Sequence, residues 1–204
     1  MIVRESDDVN SKLYDYDLPE HVMIMNDFSA KIASDWHGVY AFSNGYNLHN
    51  SILVNGLGIQ TFNETTVNSS VRNFPIASFS VKPSKRYRFR LIHMGPYSCT
   101  MIVSIDNHKL TLIATDGNAV EPVELDSIVL SAGERYDVVL ETKSTVANHF
   151  IKFRGEGELC GYDRIFQIAE LRYENATNVL DKMSITYNDT YRAGKVEYCF
   201  CLYE

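Results

Sequence analysis

Arg86-Tyr87-Arg88-Phe89-Arg90-Leu91 alternates basic and apolar side chains without a break. In an extended strand successive side chains point to opposite faces, so Tyr87, Phe89 and Leu91 share one face and Arg86, Arg88 and Arg90 the other. The apolar face belongs in a core. The arginine face has two readings: a solvated outer face paired with acidic residues, or a surface packed against another domain. Downstream, Ser127-Ile128-Val129-Leu130 and Gly133-Glu134-Arg135-Tyr136-Asp137-Val138-Val139-Leu140 read as a strand, a tight turn and a strand with Tyr136, Val138 and Leu140 inward. Further runs rich in β-branched and aromatic residues lie at 21–27, 51–55, 77–82, 100–106, 109–115, 149–154 and 164–173. Turn residues separate them, among them Asn55-Gly56, Asp106-Asn107, Asp116-Gly117-Asn118 and Gly133. The pattern predicts an all-β sandwich or barrel of about ten strands. The best helical candidate, 29–36, is two turns long, so little helix is expected.

Composition narrows the function. The chain has 204 residues, 45% of them hydrophobic and 22% charged, which fits a globular fold rather than a disordered or collagenous one. A net charge of −7 and a pI near 5.4 have the wrong sign for a polyphosphate partner, so no nucleic-acid partner is expected. No apolar run approaches the roughly 18 residues of a membrane helix, so no transmembrane segment is expected. Residues 1–8 lack a basic region followed by an apolar one, hence show no signal peptide. Four Asn-x-Ser/Thr sequons, at Asn63, Asn68, Asn175 and Asn188, exceed the roughly two that chance placement gives and mark possible N-glycosylation sites. Cys99, Cys160, Cys199 and Cys201 allow three pairings, and their spacing shows no framework.

The motifs of chemistry are sparse. There is no Gly-x-Ser-x-Gly elbow, and Asn55-Gly56-Leu57-Gly58 lacks the spacing of a phosphate loop and fits a hairpin corner. A copper electron-transfer site needs two His, one Cys and an axial Met. His93, Cys99, Met101 and His108 have the residue types but not the spacing of one C-terminal loop, and Trp36-His37-Gly38 has no second His beside it. Cys199-x-Cys201 reads as two thiols on a flexible end. No catalytic or metal-ligating residue is expected in this chain.

The sequence nevertheless resembles a known family. Phe79-Ser80-Val81-Lys82-Pro83-Ser84-Lys85-Arg86-Tyr87-Arg88-Phe89-Arg90-Leu91-Ile92, Val103-Ser104-Ile105-Asp106-Asn107-His108-Lys109-Leu110, Ala114-Thr115-Asp116-Gly117, Val120-Glu121-Pro122, Asp126-Ser127-Ile128 and Gly133-Glu134-Arg135-Tyr136-Asp137-Val138 look like the middle plastocyanin-like domain of multicopper oxidases of the laccase group. Leu53-Val54-Asn55-Gly56-Leu57-Gly58 resembles an earlier strand and turn of that domain, and Leu13-Tyr14-Asp15-Tyr16-Asp17-Leu18-Pro19-Glu20-His21 is similar to arthropod laccases. The resemblance covers roughly 1–175 and implies a cupredoxin-like Greek-key β-sandwich. It also implies copper in the parent family, held by His-x-His pairs and a His-Cys-His segment of the outer two domains. None of those motifs is present here, so no cofactor is expected on this chain itself.

From the resemblance, residues 1–17 are expected to be a remnant of a preceding domain and its linker, 18–173 the plastocyanin-like domain, and 174–204 a tail or linker. The partners implied are flanking cupredoxin domains, against which Arg86, Arg88 and Arg90 would form an interdomain face. A full-length parent would be extracellular. In several laccases an acidic residue just before the Leu-Val/Ile-Asn-Gly strand touches the reducing substrate. Asn50 holds that position here, and a carboxamide accepts a hydrogen bond from a phenol or aromatic amine but brings no charge. The expected function is a scaffold domain of a laccase-like oxidase of phenols or diphenols. The alternative is a stand-alone, non-catalytic cupredoxin-like binding or structural module.

Overall fold

The computed structural model describes residues 2, 7–28, 51–59, 75–95, 99–160 and 164–197 of the chain. The helical candidate at 29–36, together with His37, Asn50, Asn63, Asn68, Cys199 and Cys201, lies outside the described residues. Twelve strands occur among them: β1 (Val22–Phe28), β2 (Ser51–Val54), β3 (Ser78–Val81), β4 (Arg86–His93), β5 (Thr100–Ile105), β6 (Leu110–Thr115), β7 (Asn118–Leu125), β8 (Ser127–Leu130), β9 (Arg135–Glu141), β10 (His149–Glu156), β11 (Phe166–Tyr173) and β12 (Val196–Glu197). The only α-helical piece described is one turn, Gly157–Cys160.

The strands form two six-stranded sheets, ordered β2-β1-β4-β9-β6-β7 and β12-β8-β5-β10-β11-β3. Most neighbours are antiparallel, while β1 runs parallel to β4, β3 to β11 and β12 to β8. Tyr87, Phe89 and Leu91 of β4 lie between the sheets and are at most 3% exposed. They meet Phe79, Met101, Val103, Phe153 and Leu171 in one continuous core. The alternation that decided the fold from sequence is therefore the alternation that fills the sandwich.

Ten of the strands fall where the sequence placed them, within two residues at either end. Strand β7 was hidden because Glu121, Pro122 and Glu124 break its apolar pattern. It is an edge strand of the first sheet, where proline's missing donor costs least. Strand β12 is too short to read from sequence.

Both flanks of the chain lie on the sandwich. Asp15 and Tyr16 donate backbone N–H groups to Arg86 O, and Arg88 returns one to Tyr16 O, so residues 15–16 take the place beside β4 that β1 takes farther along. Tyr16 stacks on Tyr87 at 4.9 Å and Leu18 packs on the core. At the other end Ala176 packs against the same core. Tyr187 is buried beneath the Arg154 guanidinium, which stands 3.7 Å from its ring centroid. Asp126 donates its backbone N–H to Lys195 O and accepts the Lys195 N–H at its side-chain Oδ2, just before β12.

Candidate functional site

Among the described residues, Cys99, Cys160 and both ring nitrogens of His93 and His108 are already engaged in other bonds. Cys99, at the mouth of β5, forms a disulfide with Cys160 of the one-turn helix, so no thiolate is offered. Gly155 of β10 runs beneath this bridge, and a Cβ there would lie 2.9 Å from that of Cys160. His93 ends β4 with Nε2 2.6 Å from Cys99 O, an atom that only accepts, so Nε2 carries the proton and Nδ1 accepts from the Gly95 N–H at 3.0 Å. In the β5–β6 turn, His108 donates from Nδ1 to Asp106 O at 2.7 Å and accepts the Tyr173 hydroxyl at Nε2 at 2.6 Å. Burial disfavours the imidazolium at both sites and pushes His108 down to about 4. His21 gives one nitrogen to Ser80 O at 2.9 Å and lies against Tyr87 and Phe89. Among the described residues no group of three or more His, Cys, Asp or Glu side chains is arranged to hold a metal.

The arginine face carries the densest electrostatics. Arg86 reaches Asp15 at 2.8 Å, with both side chains more than a third exposed. Arg88 bonds Asp137 of β9 and reaches Asp8 at 2.6 Å, with its guanidinium 5.4 Å from the Tyr14 ring. Arg90, only 7% exposed, grips Asp17 with both terminal nitrogens. Four acidic or phenolic groups of residues 8–17 thus clasp three arginines of one strand. The chain's own amino-terminal segment covers this face.

A third feature lies at the edge of the first sheet, just after Asn50. Asn55 and Gly56 turn with positive φ of 52° and 76°, and the Asn55 side chain bonds Ile24 N and Val22 O of β1. Gln167, fully buried in β11 of the opposite sheet, donates Nε2 to Ile52 O and Ile59 O, each at 2.8 Å, and accepts from Ile59 N. A Cβ on Gly58 would sit 2.3 Å from that Nε2, which explains a glycine there. Sequence reasoning passed over Gln167, although a glutamine between Phe166 and Ile168 in an apolar strand is a legible signal. Of the expected glycan sites, the structure places Asn175 and Asn188 at the surface, the first after β11 and the second in a 3₁₀ turn.

Comparison with known proteins gives a consistent picture. Residues 16–176 match the sequence profile of the Multicopper oxidase family. Laccase-1 of Pleurotus ostreatus is 34% identical over 179 residues, 86% of this chain and 30% of that protein. Laccase-4 of Trametes villosa is 33% identical over 181 residues, 88% of this chain and 32% of that protein. The chain therefore spans about a third of the length of these fungal relatives. Among solved structures, the laccase from Botrytis aclada superposes with a TM-score of 0.60 at 22% identity, over 79% of this chain and 30% of that one. Fet3p, a multicopper oxidase that functions in iron import, gives 0.61 at 18% identity over 84% and 31%. Likeness at these identities shows a shared cupredoxin-like fold.

Proposed function

The chain belongs to the multicopper oxidase family, and from that premise we propose that it acts as the copper-free cupredoxin domain of a laccase-like oxidase, standing between flanking cupredoxin domains that hold the metal. In such a protein copper carries electrons from phenols, diphenols or similar donors to dioxygen, which leaves as water. The observation that supports a metal-free role is the commitment of donors: Cys99 is spent in a disulfide, and His93 and His108 have both ring nitrogens occupied. The described residues do not fit copper. This chain supplies rigidity instead, because neighbouring domains hold their ligands together only if the piece between them keeps its shape. Asn50 would add a neutral hydrogen-bonding wall to the substrate cleft. Extracellular placement of the parent fits the excess of sequons.

The second reading, a stand-alone module, is favoured by one observation: the arginine face is closed by residues 8–17 of the same chain. Copper reconstitution followed by a diphenol oxidation assay tests the main reading. The chain alone should show no turnover above free copper, and a chimera carrying it in place of the equivalent domain of a fungal laccase should oxidise the diphenol. Turnover by the chain alone would overturn the metal-free role. A folded chimera that binds copper but stays inert would favour the module.

A further inference from the structure

The fold treats its two described sequons differently. Strand β11 ends at Tyr173, whose N–H donates to Asn148 Oδ1 at 3.0 Å. Asn178 then closes the chain back onto the same residue. Asn148 donates its N–H to Asn178 Oδ1 at 2.8 Å and its Nδ2 to Asn178 O at 2.9 Å, and Asn178 Nδ2 returns a bond to Asn148 O at 3.0 Å. Within this clasp Glu174 N–H donates to Val81 O, and Ala176 turns its N–H to Tyr173 O while its methyl packs on the core. Asn175 adopts φ of 65°, a left-handed conformation that asparagine tolerates better than most residues with a side chain. With Ala176 drawn inward, Asn175 and Thr177 both stand exposed.

We propose that Asn175 is an N-glycan acceptor, held out to solvent on this pinned loop, with a lipid-diphosphate-linked oligosaccharide as donor substrate. In the transfer, Asn175 Nδ2 forms a bond to C1 of the first N-acetylglucosamine while the bond from C1 to the diphosphate oxygen breaks. The lipid diphosphate leaves as the anion, and the amide gives up one proton. The carboxamide and the Thr177 hydroxyl that define the acceptor remain open in the folded chain.

Asn188 lacks that freedom. Thr190 of its sequon is 2% exposed, and its hydroxyl donates to Tyr187 O at 2.6 Å. Tyr187 is itself fixed by its own hydroxyl to Gly155 O at 3.0 Å. Once this segment folds, the hydroxyl is spent, so modification at Asn188 is confined to the unfolded chain. A glycan rooted at Asn175 also stands at the rim of a cleft of about 770 Å³ lined by Tyr16, Leu18, Lys82 and Arg172, beside Val179, which is 93% exposed. Sugar there would cover an apolar side chain the protein leaves bare.

The test is to direct the full 204-residue chain into a eukaryotic secretory pathway with an added cleavable signal peptide, and to collect cells and medium together. Peptide-N-glycosidase treatment and glycopeptide mass spectrometry read occupancy on chains whose signal peptide has been removed. Asn175 should be occupied in most molecules, several-fold above Asn188, and Asn175→Gln and Thr177→Ala should each lose one glycan-sized step. Thr177→Ala alters an exposed side chain and leaves the left-handed turn at Asn175 untouched, so it separates loss of the acceptor from any strain that glutamine brings to that turn, and the Cys99–Cys160 disulfide in each product verifies folding. Processed chains with Asn175 bare, or occupied no more often than Asn188, would overturn the proposal.

Discussion

Arg88→Ala should destabilise the protein far more than Arg86→Ala, although the two residues lie on the same face of β4. The Arg88 side chain is 15% exposed, and its partners Asp8 and Asp137 are 16% and 17% exposed. Removing it leaves two carboxylates where water reaches poorly. An exposed pair contributes about 0–1 kcal/mol, and breaking a buried pair from one side costs about 3–5 kcal/mol. Arg90 Nε, 3.9 Å from Asp137, offsets part of the loss, so the expected cost is about 2–3 kcal/mol. Urea denaturation reads it as a lower midpoint at unchanged slope. The Arg86–Asp15 pair is more than a third exposed on both sides, so Arg86→Ala should leave the midpoint nearly unmoved. Acid titration gives a second readout. Burial raises the Asp8 carboxyl, but the Tyr14 hydroxyl, the Asn10 N–H and the Arg88 guanidinium together hold it below the usual carboxylate range. A group with a depressed folded pKa stabilises above its unfolded value and loses that contribution as pH falls through the folded one. Arg88→Ala should therefore flatten the stability curve below about pH 4. Equal losses for the two variants, with the acid slope intact, would refute the reasoning.

Replacing both Cys99 and Cys160 with Ala should cost about 2–4 kcal/mol, since the bridge closes a loop between residues 61 apart; reductant should lower the melting temperature of the native chain similarly and leave the double variant unchanged. His108 is held neutral, with its pKa pushed by burial to about 4, below its unfolded value. Its contribution is full above the unfolded pKa of about 6.5 and declines as pH falls towards 4, so His108→Gln should flatten the stability–pH curve across that interval. A curve of unchanged slope would contradict the neutral tautomer.

What the sequence revealed and what it hid divide along the distance between partners. The inward faces of β4 and β9 were legible because strand alternation is a local property, and Asn55-Gly56 announced its turn by residue type. The arginine face was equally plain, but its acidic partners were not: Asp8, Asp15 and Asp17 lie 80, 71 and 73 positions from the arginines they hold. The Cys99–Cys160 pairing depends on β5 and the helical turn after β10 meeting in space, which no spacing rule encodes. Gln167 illustrates the same limit, since its chemistry shows in the sequence and its targets do not. The proposal of a copper-free domain draws in part on the sequence, which lacks the His-x-His and His-Cys-His segments, and in part on hydrogen bonds at His93 and His108 that only the fold supplies.

The Gln167 staple also bears on the order of events during synthesis. Its amide joins β11 to Ile52 and Ile59, 115 and 108 positions earlier. A ribosome adding about 5–20 residues per second needs on the order of 5–25 s to make that stretch. Throughout that interval the β2 hairpin exists without the partner that fixes its far side. Cotranslational folding of this chain therefore has a built-in wait, set by the position of one glutamine, and a substitution at Gln167 would be felt first in the yield of folded product rather than in the rate at which the early strands form.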